Sequence, residues 1–156
     1  MSAAAKAKKN RDGRFSAEER AAMKDRAAEL KAEGRRASAA EKAAAEEAAV
    51  HSKIAEMPQP DRSTAERLHA IVNQAAPELL PKLYYGQPGW ANPGGKVIVF
   101  FRSGLVDKAR YSTLGFSVQA NLDESGGLWP TSYALEELTD DSAKTIATLV
   151  KKAVLS

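Results

Sequence analysis

Large hydrophobic positions are sparse along the first third of the chain and fall into periodic groups along the rest. From 16 to 57 they are Met23, Leu30, Val50, Ile54 and Met57, set among Ala, Glu, Lys and Arg. Those surrounding residues are strong helix formers. Ser16 with Glu19 and Ser38 with Glu41 have the spacing of capping boxes, where a hydroxyl and a carboxylate satisfy the first free amides. Gly34 lies between them, where a helix C-terminus favours glycine. The pattern predicts a basic tail at 1–14, a helix over about 16–33 and another over about 39–57. Met23 and Leu30 make a thin stripe for docking. Val50, Ile54 and Met57, at i, i+4 and i+7, predict that the last two turns of the second helix pack on the domain C-terminal to it.

Pro58 and Pro60 then break the helical pattern. Ser63 with Glu66 reads as a third capping box, and Leu68, Ile71, Val72 and Ala75 predict an amphipathic helix over 64–75. Pro77 suits the first turn of a short helix over about 77–83. Gly86, Pro88, Gly89, Pro93, Gly94 and Gly95 read as a stretch of turns. Lys96 to Arg102 predicts a strand, central because its apolar residues are consecutive. Ala109 to Phe116, with Tyr111, Thr113 and Leu114, predicts another. Leu128 to Leu135 predicts a third, at an edge or bulged because of Pro130. Thr139 is the expected N-cap of a closing helix, with Asp140 and Asp141 at its start and Lys151 and Lys152 at its end. Ile146, Leu149, Val150 and Val154 form its buried stripe. Short inter-strand loops require antiparallel pairing. The fold class expected is α+β, a two-layer sandwich of an antiparallel sheet with flanking helices, preceded by an Ala-rich helical N-terminal arm.

Composition sharpens the division. Residues 1–57 hold nineteen alanines, one aromatic (Phe15), thirteen Lys/Arg and ten Asp/Glu, so they carry the whole net charge of +3. Residues 58–156 hold the other nine aromatics and all seven prolines, and their ten basic and ten acidic residues cancel. The expected organisation is a basic tail and Ala/Glu/Lys-rich helical arm at 1–57, partly disordered, and an α+β domain at 58–156. No apolar run approaches the ~20 residues of a membrane helix, and no apolar core comes after the basic start. A cytoplasmic protein with no membrane partner is expected.

Absence of cysteine excludes disulfides, thiolate metal sites and a Cys nucleophile. The two histidines, His51 and His69, are eighteen positions apart, so a compact multi-histidine metal site is not expected; they could meet if the arm folds back, but nothing requires it, and each reads as a satisfied or exposed side chain. There is no Gly-x-Ser-x-Gly elbow, phosphate loop or dinucleotide-binding fingerprint, and no enzyme is expected. Two constellations remain. Tyr84, Tyr85 and Trp90, with Gly86, Pro88 and Gly89 between them, could wall a small-molecule pocket or could plug the end of the sheet. Glu136, Glu137, Asp140 and Asp141 could offer hard oxygen ligands or could be ordinary charge at a helix start. Lys6, Lys8, Lys9, Arg11 and Arg14 could touch phosphate, but without interleaved aromatics or a known motif nucleic acid is not an expected partner.

The segment from Arg67 to Ser156 resembles the YdhG-like family of small bacterial proteins. The residues that carry the likeness are Ala76-Pro77-Glu78, then Leu83-Tyr84-Tyr85-Gly86-Gln87-Pro88-Gly89-Trp90, the strand at Gly95 to Phe101 and the terminal amphipathic helix. Family members typically carry an aromatic-Gly-Met-Pro-x-aromatic motif; Gln87 stands here in place of the methionine and Trp90 in place of the tyrosine. The resemblance implies an α+β fold. Some members are described as frataxin-like intracellular iron chaperones, which implies iron as ligand, held at surface carboxylates such as Glu136, Glu137, Asp140 and Asp141. The arm resembles an extension on actinobacterial-type relatives, to which no activity attaches. A protein partner reached through the arm, or a small molecule at the aromatic motif, is the alternative expectation.

Overall fold

The structure, a computed structural model, describes residues 16–155. The basic tail expected at 1–14 lies outside the described residues. The chain divides into two compact units, Met1–Lys42 and Ala43–Ser156, and one helix, α1 (Ala17–Ala55), supplies residues to both.

In the first unit, α1 opens on Ser16, whose Oγ accepts the Glu19 backbone N–H at 3.1 Å. Met23 and Leu30 are exposed, as a two-residue stripe allows. The break expected at Gly34 is absent, and the helix runs on through Ser38 and Glu41. Glycine at a helix interior costs only about 1 kcal/mol. Its neighbours are strong formers, and no proline occurs until Pro58, so that cost does not stop the helix.

The second unit starts with the last turns of α1. Val50, Ile54 and Met57 are buried in its hydrophobic core. Helix α2 (Asp61–Ala75) comes next, beginning earlier than the predicted 64. The capping box expected at Ser63 and Glu66 does not form; Gln59 Oε1 accepts from the Ser63 N–H at 3.1 Å and from Ser63 Oγ at 2.8 Å. Five strands succeed it: β1 (Leu80–Tyr84), β2 (Gln87–Ala91), β3 (Val97–Arg102), β4 (Ser112–Phe116) and β5 (Ser132–Leu135). They pair antiparallel in chain order. A short helix, α3 (Gly104–Asp107), joins β3 to β4, and α4 (Asp140–Ala153) closes the fold. This is the α+β sandwich with an antiparallel sheet that the sequence predicts.

Two strands were not legible. Residues 77–83 form no helix, and the turn-rich stretch after Tyr84 contains β2. The pair is a hairpin with a two-residue loop, Tyr85 and Gly86, at φ 48° and 78°. Positive φ at both positions is what the tightest hairpin turns require. The Tyr84–Gln87 pair flanks this loop, so ladder bonds fall on alternate pairs from there. Pro81 and Pro88 both occupy the intervening pairs, opposite Trp90 and Leu83. Neither proline removes a β1–β2 hydrogen bond. β1 is an edge strand, and pairing of β2 with β3 begins only at Gly89. A run of Pro and Gly is thereby accommodated in a sheet.

Alternation along the strands sorts the two faces. Trp90, Val99, Phe101 and Leu114 point to the helices, where they join Leu68 and Val72 of α2 and Ile146 and Val150 of α4 in one core. Tyr84, Gly89, Phe100 and Gly115 share the opposite face, as the register Tyr84–Gln87, Gly89–Phe100 and Phe100–Gly115 dictates. The loop from β4 to β5 is held by Asn121, whose backbone N–H and Nδ2 donate to Ala153 O and Leu155 O, both at 2.9 Å. The N-cap of α4 is Thr139, in a capping box completed by Ser142. No helix among the described residues is long and apolar enough to cross a membrane.

Candidate functional site

Glu47 and His51 stand four residues apart on α1 and therefore share one helical face. That face adjoins the stripe of Val50 and Ile54, whose burial fixes the helix against the second unit's core. His69 lies on α2 beside Leu68, which is fully buried. Docking of the two helices brings the histidine rings to 5.2 Å between centroids, nearly perpendicular. His51 Nε2 lies 3.4 Å from Glu47 Oε1. One ligand-type atom from each of Glu47, His51 and His69 falls within 4.8 Å of the others. The two histidines therefore meet, the outcome that the sequence leaves to the arm folding back. Eighteen residues of separation span a helix end, a turn and two turns of α2, which return the chain to the same place.

Trp90 completes the group from the sheet. Its Nε1–H donates to His69 Nδ1 at 3.0 Å, and the two rings lie nearly parallel at 6.3 Å. An indole N–H can only donate, so Nδ1 of neutral His69 holds a lone pair and the proton sits on Nε2. Burial lowers the His69 pKa, the neighbouring His51 lowers it further, and Glu47 opposes both. His69 is therefore held in its neutral form, the form that binds metals. Glu47 and His51 are about half exposed through their side chains, so solvent reaches the outer side of the cluster.

The predicted constellations fare differently. Tyr84, Tyr85 and Trp90 do not line one pocket. Tyr84 packs on Phe100 with centroids 4.8 Å apart, on the face away from the helices, whereas Trp90 is buried on the helical side. Adjacent strand positions point to opposite faces, and the hairpin register gives the two residues opposite parity. Gly86 is a turn residue and Pro88 is buried. Glu136, Glu137 and Asp141 are exposed around the start of α4. Asp140 accepts from Arg67 Nη2 at 2.9 Å, while Arg67 Nη1 donates to Leu138 O at 2.7 Å. These four carboxylates do not converge on one point; among the described residues, Glu47, His51 and His69 do.

The sequence leaves the meeting of the histidines open as one consequence of the arm folding back, and does not single out Glu47. The available signal was the i, i+4 spacing of Glu47 and His51 next to an apolar stripe. Nothing local marks His69 as its partner. Comparison of the chain with protein-family models, with curated proteins and with solved structures gives no match.

Proposed function

We propose that the protein is a non-enzymatic domain that binds an exchangeable metal ion at Glu47, His51 and His69, with ferrous iron as the cargo. The observation that carries this reading is the approach of three ligand-type atoms to within 4.8 Å. Two imidazoles and one carboxylate form a donor set suited to iron, zinc and similar divalent ions, and poorly suited to magnesium, which favours oxygen alone. The resemblance to YdhG-like proteins supports iron within that group. The reading places the ligand on α1 and α2 and not on the carboxylates near α4.

The Trp90 bond argues for exchange over permanent retention. A metal on His69 Nε2 displaces the proton there. Coordination there would require that proton to move to Nδ1, and the Trp90 N–H would then lose its acceptor. A net hydrogen bond of about 1 kcal/mol opposes capture. Three protein ligands on a half-exposed surface leave coordination positions open to water or to a recipient's side chain. A cytoplasmic setting and a recipient protein that contacts the helix preceding Ala43 complete the proposal; exposed Met23 and Leu30 support that contact.

The test is anaerobic calorimetry of the full chain with ferrous iron, against magnesium. One saturable site is expected, lost in His51→Ala and in His69→Ala and kept in Glu136→Ala/Asp140→Ala. Binding that survives both histidine variants would move the cargo elsewhere.

A further inference from the structure

The face of the sheet away from the helices carries a second group of side chains that the metal reading does not use. Phe100 of β3 lies directly over Gly115 of β4: a Cβ at that glycine would come within 2.2 Å of the ring. Tyr84 lies beside Phe100 with its ring tilted 32° to it, and Tyr85 meets Tyr84 edge-on at 4.6 Å. Packing explains Phe100, since a ring commonly fills the space above a strand glycine. It does not explain Tyr85. That residue is 88% exposed and sits at φ 48°, a conformation that disfavours any side chain with a Cβ.

Two residues beyond Phe100 on the same face is Arg102, opposite Thr113 of β4. The end of the sheet there holds a depression of about 480 Å³, lined by Arg102, Asp107, Arg110, Tyr111 and Thr113 among others. Its size falls within the roughly 300–1,000 Å³ of small-molecule sites. Arg102 is ion-paired with Asp107 and has guanidinium donors to spare. Arg110 lies over the Tyr111 ring at 5.0 Å. The rings and this depression thus share one face of the sheet, two residues apart along β3, and the depression holds two guanidinium groups and one carboxylate.

We propose that this face binds a free nucleotide, with the base on Tyr84, Tyr85 and Phe100 and the phosphate at Arg102 and Arg110. The chemistry recognised is a planar heterocycle joined to an anion. Base–aromatic stacking tolerates any base, and guanidinium groups match phosphate geometry. Asp107 competes with the phosphate for Arg102 and weakens the site in its resting form.

The test is NMR titration of the full-length protein with AMP, and with adenosine, inorganic phosphate and a single-stranded ten-residue oligonucleotide as separate arms. AMP is expected to shift the amides of β1, β3 and β4 saturably, with adenosine and phosphate each at least tenfold weaker. Tyr85→Gly, which suits the turn and keeps the fold, is expected to weaken AMP about fivefold or more. Arg102→Gln should weaken it about tenfold, and Asp107→Asn should tighten it. Absence of saturable AMP shifts, equal affinity for phosphate alone, or an unchanged Tyr85→Gly variant would overturn the assignment. Tighter binding of the oligonucleotide than of AMP would overturn the free nucleotide in favour of a strand.

Discussion

Asp61 is the buried carboxylate around which one end of the second unit is tied. Its Oδ2 accepts from Ser103 Oγ at 2.5 Å, from the Leu105 N–H at 3.1 Å and from Ser112 Oγ at 3.3 Å. Ser112 Oγ in turn accepts the Gly104 N–H at 2.9 Å. The network joins the start of α2 to α3 and β4. Asp61→Ala removes the acceptor and leaves those donors buried, so it should lower stability by about 2–4 kcal/mol in urea denaturation. A loss below about 1 kcal/mol would show that the hydroxyls find other partners. Trp90 gives a prediction of opposite sign for binding. Trp90→Phe removes the N–H that holds the His69 proton on Nε2, so metal affinity should rise about fivefold, the equivalent of ~1 kcal/mol. Calorimetry of the variant checks this, and weaker binding would mean that the indole bond supports the site. Neither Asp61 nor the Trp90–His69 bond was legible in the sequence. Both rest on contacts between residues twenty or more positions apart, and no local pattern encodes them.

Secondary structure was legible where one local signal acted alone. The closing helix begins at Thr139 as its hydroxyl, its two aspartates and its apolar stripe predict. Thr139→Ala should cost about 1 kcal/mol in thermal unfolding through loss of the cap. The signals failed where two competed. Gly34 reads as a stop, but the formers around it carry the helix through. At Gly34 a Cβ would meet nothing within 4 Å and the φ is not positive. Gly34→Ala should therefore raise helix stability by about 0.5–1 kcal/mol, seen as higher residual helicity on heating by circular dichroism. The hairpin was hidden for a related reason. Pro81, Pro88 and Gly89 argue against strands as residue types, and only the register shows that the prolines sit where no ladder bond is needed. The sequence groups Tyr84 and Trp90 in one motif, but the same register sends them to opposite faces.

At the scale of the whole molecule, the cluster of Glu47, His51 and His69 couples packing to protonation. His69 has a lowered pKa because it is partly buried and faces His51. The unfolded chain therefore takes up the proton first as pH falls below the ordinary histidine value of ~6.5. Stability is full above that value and declines from there toward the depressed folded value. The urea midpoint should fall between pH 7 and pH 5, and His69→Gln, which keeps an acceptor for Trp90, should flatten that decline. An unchanged slope in the variant would place the pH dependence elsewhere. If the proposed site holds a metal, protonation of His69 competes with it, so affinity should weaken over that range.

Whether His51 and His69 take up a metal together is read by nitrogen-15 NMR of histidine-labelled full-length protein. Zinc serves as the diamagnetic probe at neutral pH. The free protein should show His69 protonated on Nε2, and one equivalent of zinc should shift the His51 and His69 ring nitrogens in parallel, with the His69 proton moving to Nδ1. Ring signals of both histidines left unchanged at several equivalents of zinc would show that the two do not form a metal site.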